Sequence, residues 1–172
     1  WLIVASSLWA FSFGLIKRYL AGLDPSFIAA ARMGLAALVF LPLLRPGGLG
    51  RARRWQLAGI GAVQYGLMYM LYIAAFARLQ AWEVALFTLF TPLYVTLLDD
   101  LAARRLDLRH QAAALLAVGG AAVIHYREPA LAAALAGFLL VQGANLCFAF
   151  GQVAYRRLLA GEEEVQDHRI FG

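Results

Sequence analysis

The sequence predicts an all-α polytopic membrane protein with about six transmembrane helices. Composition is the first reason. Of 172 residues, 63% are hydrophobic and 15% charged, with a mean hydropathy of +0.71; soluble domains lie near about 45–50% and about 25%. Spacing is the second: apolar runs of roughly 16–23 residues alternate with short polar stretches. The third is the lack of period-2 alternation, which leaves a β-barrel unsupported. The lipid bilayer is therefore the first expected partner. The net charge of +5 does not indicate nucleic acid. The basic residues fall between apolar runs and not on one amphipathic face, so they read as topology signals. The single Cys147 sits inside an apolar run and excludes a disulfide framework.

The elements follow in order. Residues 1–16 form the first run, closed by Lys17-Arg18. No small-residue cleavage site follows, so it is not a signal peptide. The chain opens at Trp1 without an initiator Met, and a start trimmed from a longer chain is expected. Residues 27–44 form the second run, opened by Asp24 as an N-cap and Pro25 at the first helical position. The third is 57–76. The fourth, 82–100, is bracketed by Glu83 and by Asp99-Asp100. Its apolar part is only about 15 residues, roughly 22 Å as a helix, short of a bilayer core. Pro92 cannot donate to the carbonyl of Thr88, which is freed at membrane depth near Thr88, Thr91 and Thr96 and must find a neighbouring helix, a side chain or water as its partner. A short, interrupted, polar-edged span suits a pathway wall; a packed helix kinked by proline is the plainer alternative. The fifth run, 111–126, is made of small residues and reads as close packing. The sixth is 133–155, closed by Arg156-Arg157, and an acidic, polar tail follows it.

Orientation follows from the basic residues. One side collects Arg45, Arg51, Arg53, Arg54, Arg104, Arg105, Arg109, Arg156 and Arg157; the other collects Lys17, Arg18, Arg78 and Arg127. The richer side is expected to be cytoplasmic, with the N-terminus inside. An internal repeat accompanies this. Phe11-Ser12-Phe13-Gly14 recurs as Phe148-Ala149-Phe150-Gly151, 137 residues later (148 − 11), and each copy precedes a basic pair. Five runs separate the copies, and an odd number inverts the second.

Trp9-Ala10-Phe11-Ser12-Phe13 in the first helix, Arg32 before an Ala/Leu run in the second, and Phe90-Thr91-Pro92-Leu93 in the fourth carry a family resemblance. On these residues the chain resembles the EamA-type branch of the drug/metabolite transporter superfamily. VALFTLFTPLYVTL is similar to its carboxylate/amino acid/amine transporter-like members. The resemblance implies ten helices in two inverted five-helix repeats, a central cavity lined by helices 1, 3, 4 and 6, and alternating access. It implies a first repeat over 1–126, then the first helix and following loop of a truncated second repeat over 127–172. The chain is too short for the whole family fold. It is expected to be a fragment that lacks its second half, with dimerisation with a second copy as the alternative.

Several residues are candidates for the pathway. Arg32 lies about seven residues inside its helix, roughly 10 Å deep; it either serves function or snorkels to the headgroups. Glu83 caps its helix, pairs with Arg32 or Arg78, or carries a proton. Tyr65, Tyr69, Tyr72 and Phe76 share one helical face flanked by Gln64, suited to an amphipathic solute or to packing. Gln142, Asn145, Ala149 and Gln152 form a polar stripe on the sixth helix, for hydrogen bonding between helices or for a wet cavity. Trp9, Ser12, Thr88, Thr91 and Pro92 complete the set. Asp99-Asp100 reads as a solvated loop. No metal spacing, phosphate loop or nucleophile elbow is present, so no metal or cofactor is expected.

The expected function is a secondary transporter, an exporter, of small organic metabolites such as amino acids, amines or carboxylates, with the proton as a candidate coupling ion. The expected place is the bacterial inner membrane. A membrane-embedded enzyme is the rival, but Glu83 lies at the opposite helix end from Asp99 and Asp100. A scaffold or subunit that needs a partner is the other.

Overall fold

The computed structural model describes residues 2–20, 22–43, 50–105, 108–109, 111–112, 115–116, 119 and 131–160. The expected fifth helix lies largely outside these residues, as do the junction between the two expected repeats and the acidic tail. Every regular element among the described residues is helical. Helix α1 (Leu2–Leu15) continues into a π-helical turn, Ile16–Leu20. Helix α2 (Pro25–Phe40) starts as its sequence predicts: Pro25 opens it, and the Asp24 side chain accepts from the backbone N–H of Phe27 at 2.9 Å.

Helices α3 (Arg51–Gly61) and α4 (Met68–Phe76) are joined by a π-helical turn, Ala62–Leu67, into one rod of 26 residues. The rod begins earlier than the apolar run, because Arg51, Arg53 and Arg54 lie in its first turns. At roughly 39 Å it is long enough to carry them past a ~30 Å core. Helix α5 (Ala81–Phe87), a 3-10 turn (Thr88–Phe90) and α6 (Thr91–Ala102) form a second rod of 22 residues. This corrects the expectation of a short span. The helix runs through Pro92 and incorporates Asp99 and Asp100, giving roughly 33 Å. Pro92 is tolerated because the 3-10 turn places it at the start of a new helical segment, where its missing N–H is not needed. Helix α6 ends with Arg104 at φ 52°, while Arg104 N–H and Arg105 N–H donate back to Leu101 O and Asp100 O. That is the Schellman pattern.

Helix α7 (Leu131–Leu158) is the centre of the bundle. It packs against both rods. Cβ atoms built on Gly137, Gly143 and Gly151 would meet Leu79, Leu71 and Gln64 respectively. Rising numbers on α7 meet falling numbers on the first rod, so the two are antiparallel. On its other side, Phe138 stacks edge-on against Phe87 and Phe90, and Arg157 reaches Asp99; the second rod is therefore parallel to α7. Helix α1 ends beside the end of the first rod, where Lys17 Nζ donates to Phe76 O and Leu79 O at 2.6 and 2.8 Å. Helices α1 and α7 consequently run in opposite directions. The core is formed by Phe13, Ile28, Tyr72, Phe76, Val84, Val141 and their neighbours. Ile3, Leu8, Phe11, Leu35 and Leu38 are exposed on α1 and α2, as lipid-facing positions are. The chain is a multi-pass membrane protein.

Gly151→Val in the full-length protein should lower the thermal midpoint in detergent, by about 1–3 kcal/mol of overpacking against Gln64. Gly59→Ala, which meets nothing within 4 Å, should change stability by less than about 1 kcal/mol. Equal effects would mean that α7 does not approach the rod as described.

Candidate functional site

The register places the polar residues of different helices at one depth. Gly137 beside Leu79 and Gly151 beside Gln64 put Gln142 and Asn145 level with residues 70–73 of the first rod. Tyr69 and Tyr72 occupy that level, four to seven residues before Phe76, or roughly 6–10 Å inside the rod's end. Phe13 of α1 reaches it, with its ring 6.0 Å from Tyr72. Arg32 of α2 reaches it through Tyr69. Thr91 and the carbonyl of Phe87 reach it through Asn145.

Arg32 is half-buried and turns inward. Its guanidinium lies 4.6 Å from the centroid of the Tyr69 ring and donates to the Tyr69 hydroxyl at 3.1 Å. Among the described residues no carboxylate pairs with it. A guanidinium over an aromatic face gains about 0.5–2 kcal/mol, more as water is excluded, but its charge is not neutralised. Tyr69 and Tyr72 meet edge to face at 6.3 Å, and Tyr72 and Phe76 at 5.1 Å. The predicted aromatic face is thus present over Tyr69, Tyr72 and Phe76. Tyr65 falls in the π-helical turn one turn below and is half-buried.

Thr91 Oγ1 donates to Thr88 O at 2.7 Å and also lies 3.1 Å from Asn145 Oδ1. The Thr91 backbone N–H bonds to Thr88 O as well. Of the partners open to the Thr88 carbonyl, a side chain is the one found: the proline's missing donor is replaced by the 3-10 turn and by the Thr91 hydroxyl. Thr88 Oγ1 donates to Ala85 O at 2.6 Å. The carbonyl that a neighbouring helix does satisfy is that of Phe87, which accepts from Asn145 Nδ2 at 2.8 Å. A carbonyl only accepts, so this bond fixes the orientation of the Asn145 amide. The same Nδ2 lies 3.3 Å from Gln142 Oε1. Asn145 is 4% exposed and thereby knits α7 to the break in the second rod.

The remaining candidates lie outside this layer. Glu83 is buried at the start of α5, and its Oε2 accepts from Gln80 N–H at 2.6 Å. It caps its own helix, while Arg32 turns to Tyr69 and Arg78 to Ala74 O. Gln64 is buried against Gly151, deeper in the rod. Ser12 is half-buried beside Phe13, whereas Pro92 and Gln152 are exposed. Trp9 lies on α1, with its side chain outside the described set. Asp99 and Asp100 are not in a solvated loop. Asp99 is bridged by Arg156 at 2.5 Å and Arg157 at 3.2 Å, and Asp100 is buried and accepts from Gln111 at 3.3 Å. Among the described residues no group of His, Cys, Asp or Glu could hold a metal ion.

Two features escaped the sequence reading. Lys17 looked like a topology residue, yet it caps the first rod; a cation one turn past an apolar run is also what a neighbouring helix C-terminus attracts. The Tyr72 hydroxyl and Gln142 Nε2 are buried without a hydrogen-bond partner. Each such group costs about 1–3 kcal/mol, and no spacing rule announces it. Asn145→Leu should lower stability by about 0.6–2 kcal/mol, the range of interhelical hydrogen bonds in membranes, read as a lower thermal midpoint of the full-length protein. An unchanged midpoint would remove Asn145 as the link between α7 and the second rod.

Residues 1–126 match the model of the EamA-like transporter family. The chain is 46% identical over 160 residues to the biotin transporter of Salmonella typhimurium, covering 92% of this chain and 53% of that protein. It has the same identity and coverage with the biotin transporter of Escherichia coli (strain K12). To the probable biotin transporter of Pseudomonas aeruginosa it is 46% identical over 174 aligned positions, covering 100% of this chain and 60% of that protein. The chain spans between 53% and 60% of the length of these relatives. No solved structure matches it. With 126 of its 172 residues matched and a bundle of apolar helices behind them, the chain belongs to the EamA-like transporter family.

Proposed function

We propose that this chain belongs to a secondary transporter of biotin, acting by alternating access in the bacterial inner membrane. The observation that carries the reading is Arg32: a half-buried guanidinium held on the Tyr69 ring, level with the amides of Gln142 and Asn145. Biotin presents a carboxylate at neutral pH, a flexible aliphatic arm and a fused ring system that contains a cyclic urea. An uncompensated cation would receive the carboxylate. The aromatic edges of Tyr69 and Tyr72 would cover the arm. The names of the relatives support the same solute. Within the expected classes, this favours solutes that carry a carboxylate over simple amines.

The wider candidate set takes its place around that layer. Ser12, Thr88 and Thr91 border it, Tyr65 and Gln64 lie along its approach, and Glu83 closes the helix end beside it. Residues 1–126 form the first five-helix repeat and 127–172 begin the second, a reading supported by the opposed directions of α1 and α7. The remaining cavity wall comes from the length present in the relatives, or from a second copy. The N-terminus is cytoplasmic by the distribution of Lys and Arg. Outward movement is the direction carried over from the sequence, with the proton as candidate coupling ion.

The test uses the full-length protein in liposomes with tritiated biotin. Saturable flux is expected, with unlabelled biotin competing at least about tenfold better than its methyl ester, which lacks the charge. Arg32→Leu should reduce flux about tenfold or more, and Arg32→Lys should retain part of it. Equal competition by acid and ester would overturn the role of Arg32. Vesicles of both orientations read the direction; flux confined to the inward sense would assign uptake in place of export.

A further inference from the structure

Within the layer, two hydrogen-bonding groups stand apart from the others. Tyr72 is 7% exposed and Gln142 6% exposed, and among the described residues neither the phenol oxygen nor Nε2 has a partner. Their neighbours are all engaged. Asn145 bonds to Phe87 O and lies between Gln142 and Thr91; Thr88 and Thr91 bond within their own rod; Lys17 and Glu83 cap helix ends. The Gln142 Oε1 faces the Asn145 Nδ2. That contact fixes which end of the Gln142 amide is left over, and the free end is the donor. The register of α7 against the first rod puts Gln142 level with Tyr72. The surrounding side chains, Phe13, Phe76, Val141 and Ala144, are apolar and offer no acceptor. In lipid, no bulk water reaches such groups either.

We propose that the Tyr72 hydroxyl and the Gln142 side-chain amide are the donors for the solute's neutral head group, and that both converge on a carbonyl oxygen of the cyclic-urea class. This rests on the reading of biotin as the solute. The division of labour follows from charge. Arg32 takes the carboxylate at one end of the molecule, and a pair of uncharged donors takes the urea carbonyl at the other. A carbonyl oxygen can accept from both at once, whereas a protonated head group offers Gln142 Nε2, which only donates, another proton; the Tyr72 oxygen can also accept, so the amide is the discriminating member of the pair. The specificity is thus one of unmatched polarity: a solute that lacks the acceptor leaves both donors buried and unpaired.

The experiment compares biotin with 2-iminobiotin, in which the urea carbonyl is replaced by an imine that is protonated near neutral pH. Full-length wild-type protein in liposomes should prefer biotin by about tenfold or more. Tyr72→Phe and Gln142→Leu should each raise the KM for biotin about tenfold, leave the maximal rate within about threefold, and shrink the preference over 2-iminobiotin. Tyr72→Phe should also melt at or above the wild-type midpoint without biotin, since it removes a buried hydroxyl that had no partner; Gln142→Leu loses the Oε1 contact to Asn145 Nδ2 as well and is read through KM and preference alone. A merely structural pair would leave KM and preference unchanged, and that result would overturn the proposal. Equal handling of the two solutes by the wild type would overturn it without recourse to variants. Wild-type protein that moves no biotin would overturn the biotin reading itself, and this proposal with it.

Discussion

The close approach of α7 to the Arg51–Phe76 rod is the constraint on which the bundle depends. Lipid tails are as apolar as the side chains they surround, so helices in a membrane gain little from mere burial. They associate where backbones come close enough for dense van der Waals contact. Gly137, Ala144 and Gly151 recur at seven-residue intervals along α7 and are buried. Leu79 and Gln64 fill the space that side chains at the two glycines would occupy. Once that seam is set, the depth of everything else on α7 is set too. Asn145 must arrive at the 3-10 turn of the second rod, Phe138 between Phe87 and Phe90, and Arg157 at Asp99. One helix thus carries the register of two rods that have few contacts with each other.

The two ends of the bundle are closed by the same chemistry. A helix leaves its last carbonyls without intrahelical donors, and in or near lipid those groups need partners. Lys17, just past the end of α1, donates to Phe76 O and Leu79 O at the end of the first rod. Arg157, at the end of α7, donates to Asp99 O and Ala102 O at the end of the second. Each is one member of a basic pair that follows the repeated aromatic motif. Each places a cation at the negative end of a helix dipole. The pairs therefore do more than bias topology: they tie the end of one helix to the end of another.

What could be read from the residues follows this division between local and relational facts. The N-cap at Asp24, the apolar spans, the aromatic face of Tyr69, Tyr72 and Phe76, and the capping role of Glu83 depend on neighbours a few residues away, and spacing announces them. The partners of Arg32 and Asn145 depend on which helix lies alongside and at what register, which no single run contains. Thr88 shows the boundary well. Proline does remove the donor four residues on, as its chemistry dictates. The choice of a 3-10 turn closed by the Thr91 hydroxyl is local too, but it competes with a water-filled opening of nearly equal plausibility from sequence. The second rod is longer than its apolar run for a related reason: Asp99 and Asp100 lie in the helix, where Arg156, Arg157 and Gln111 donate to them, and those partners come from elsewhere in the chain.

Satisfaction of polar groups is unevenly distributed along the bundle. At both ends the carbonyls and carboxylates described above find donors. At the level of Tyr69 to Tyr72 the balance changes: among the described residues a guanidinium has a phenol and no carboxylate, a phenol has no partner, and an amide has one end unused. Such groups lower stability wherever they are buried, and random loss of polarity would remove them at a gain. Packing alone gives no reason for three of them to share one depth across three helices. A layer that becomes satisfied only when another molecule enters does give a reason. It also makes the occupied state more stable than the empty one, which is the differential that lets a solute bias a moving bundle between its conformations.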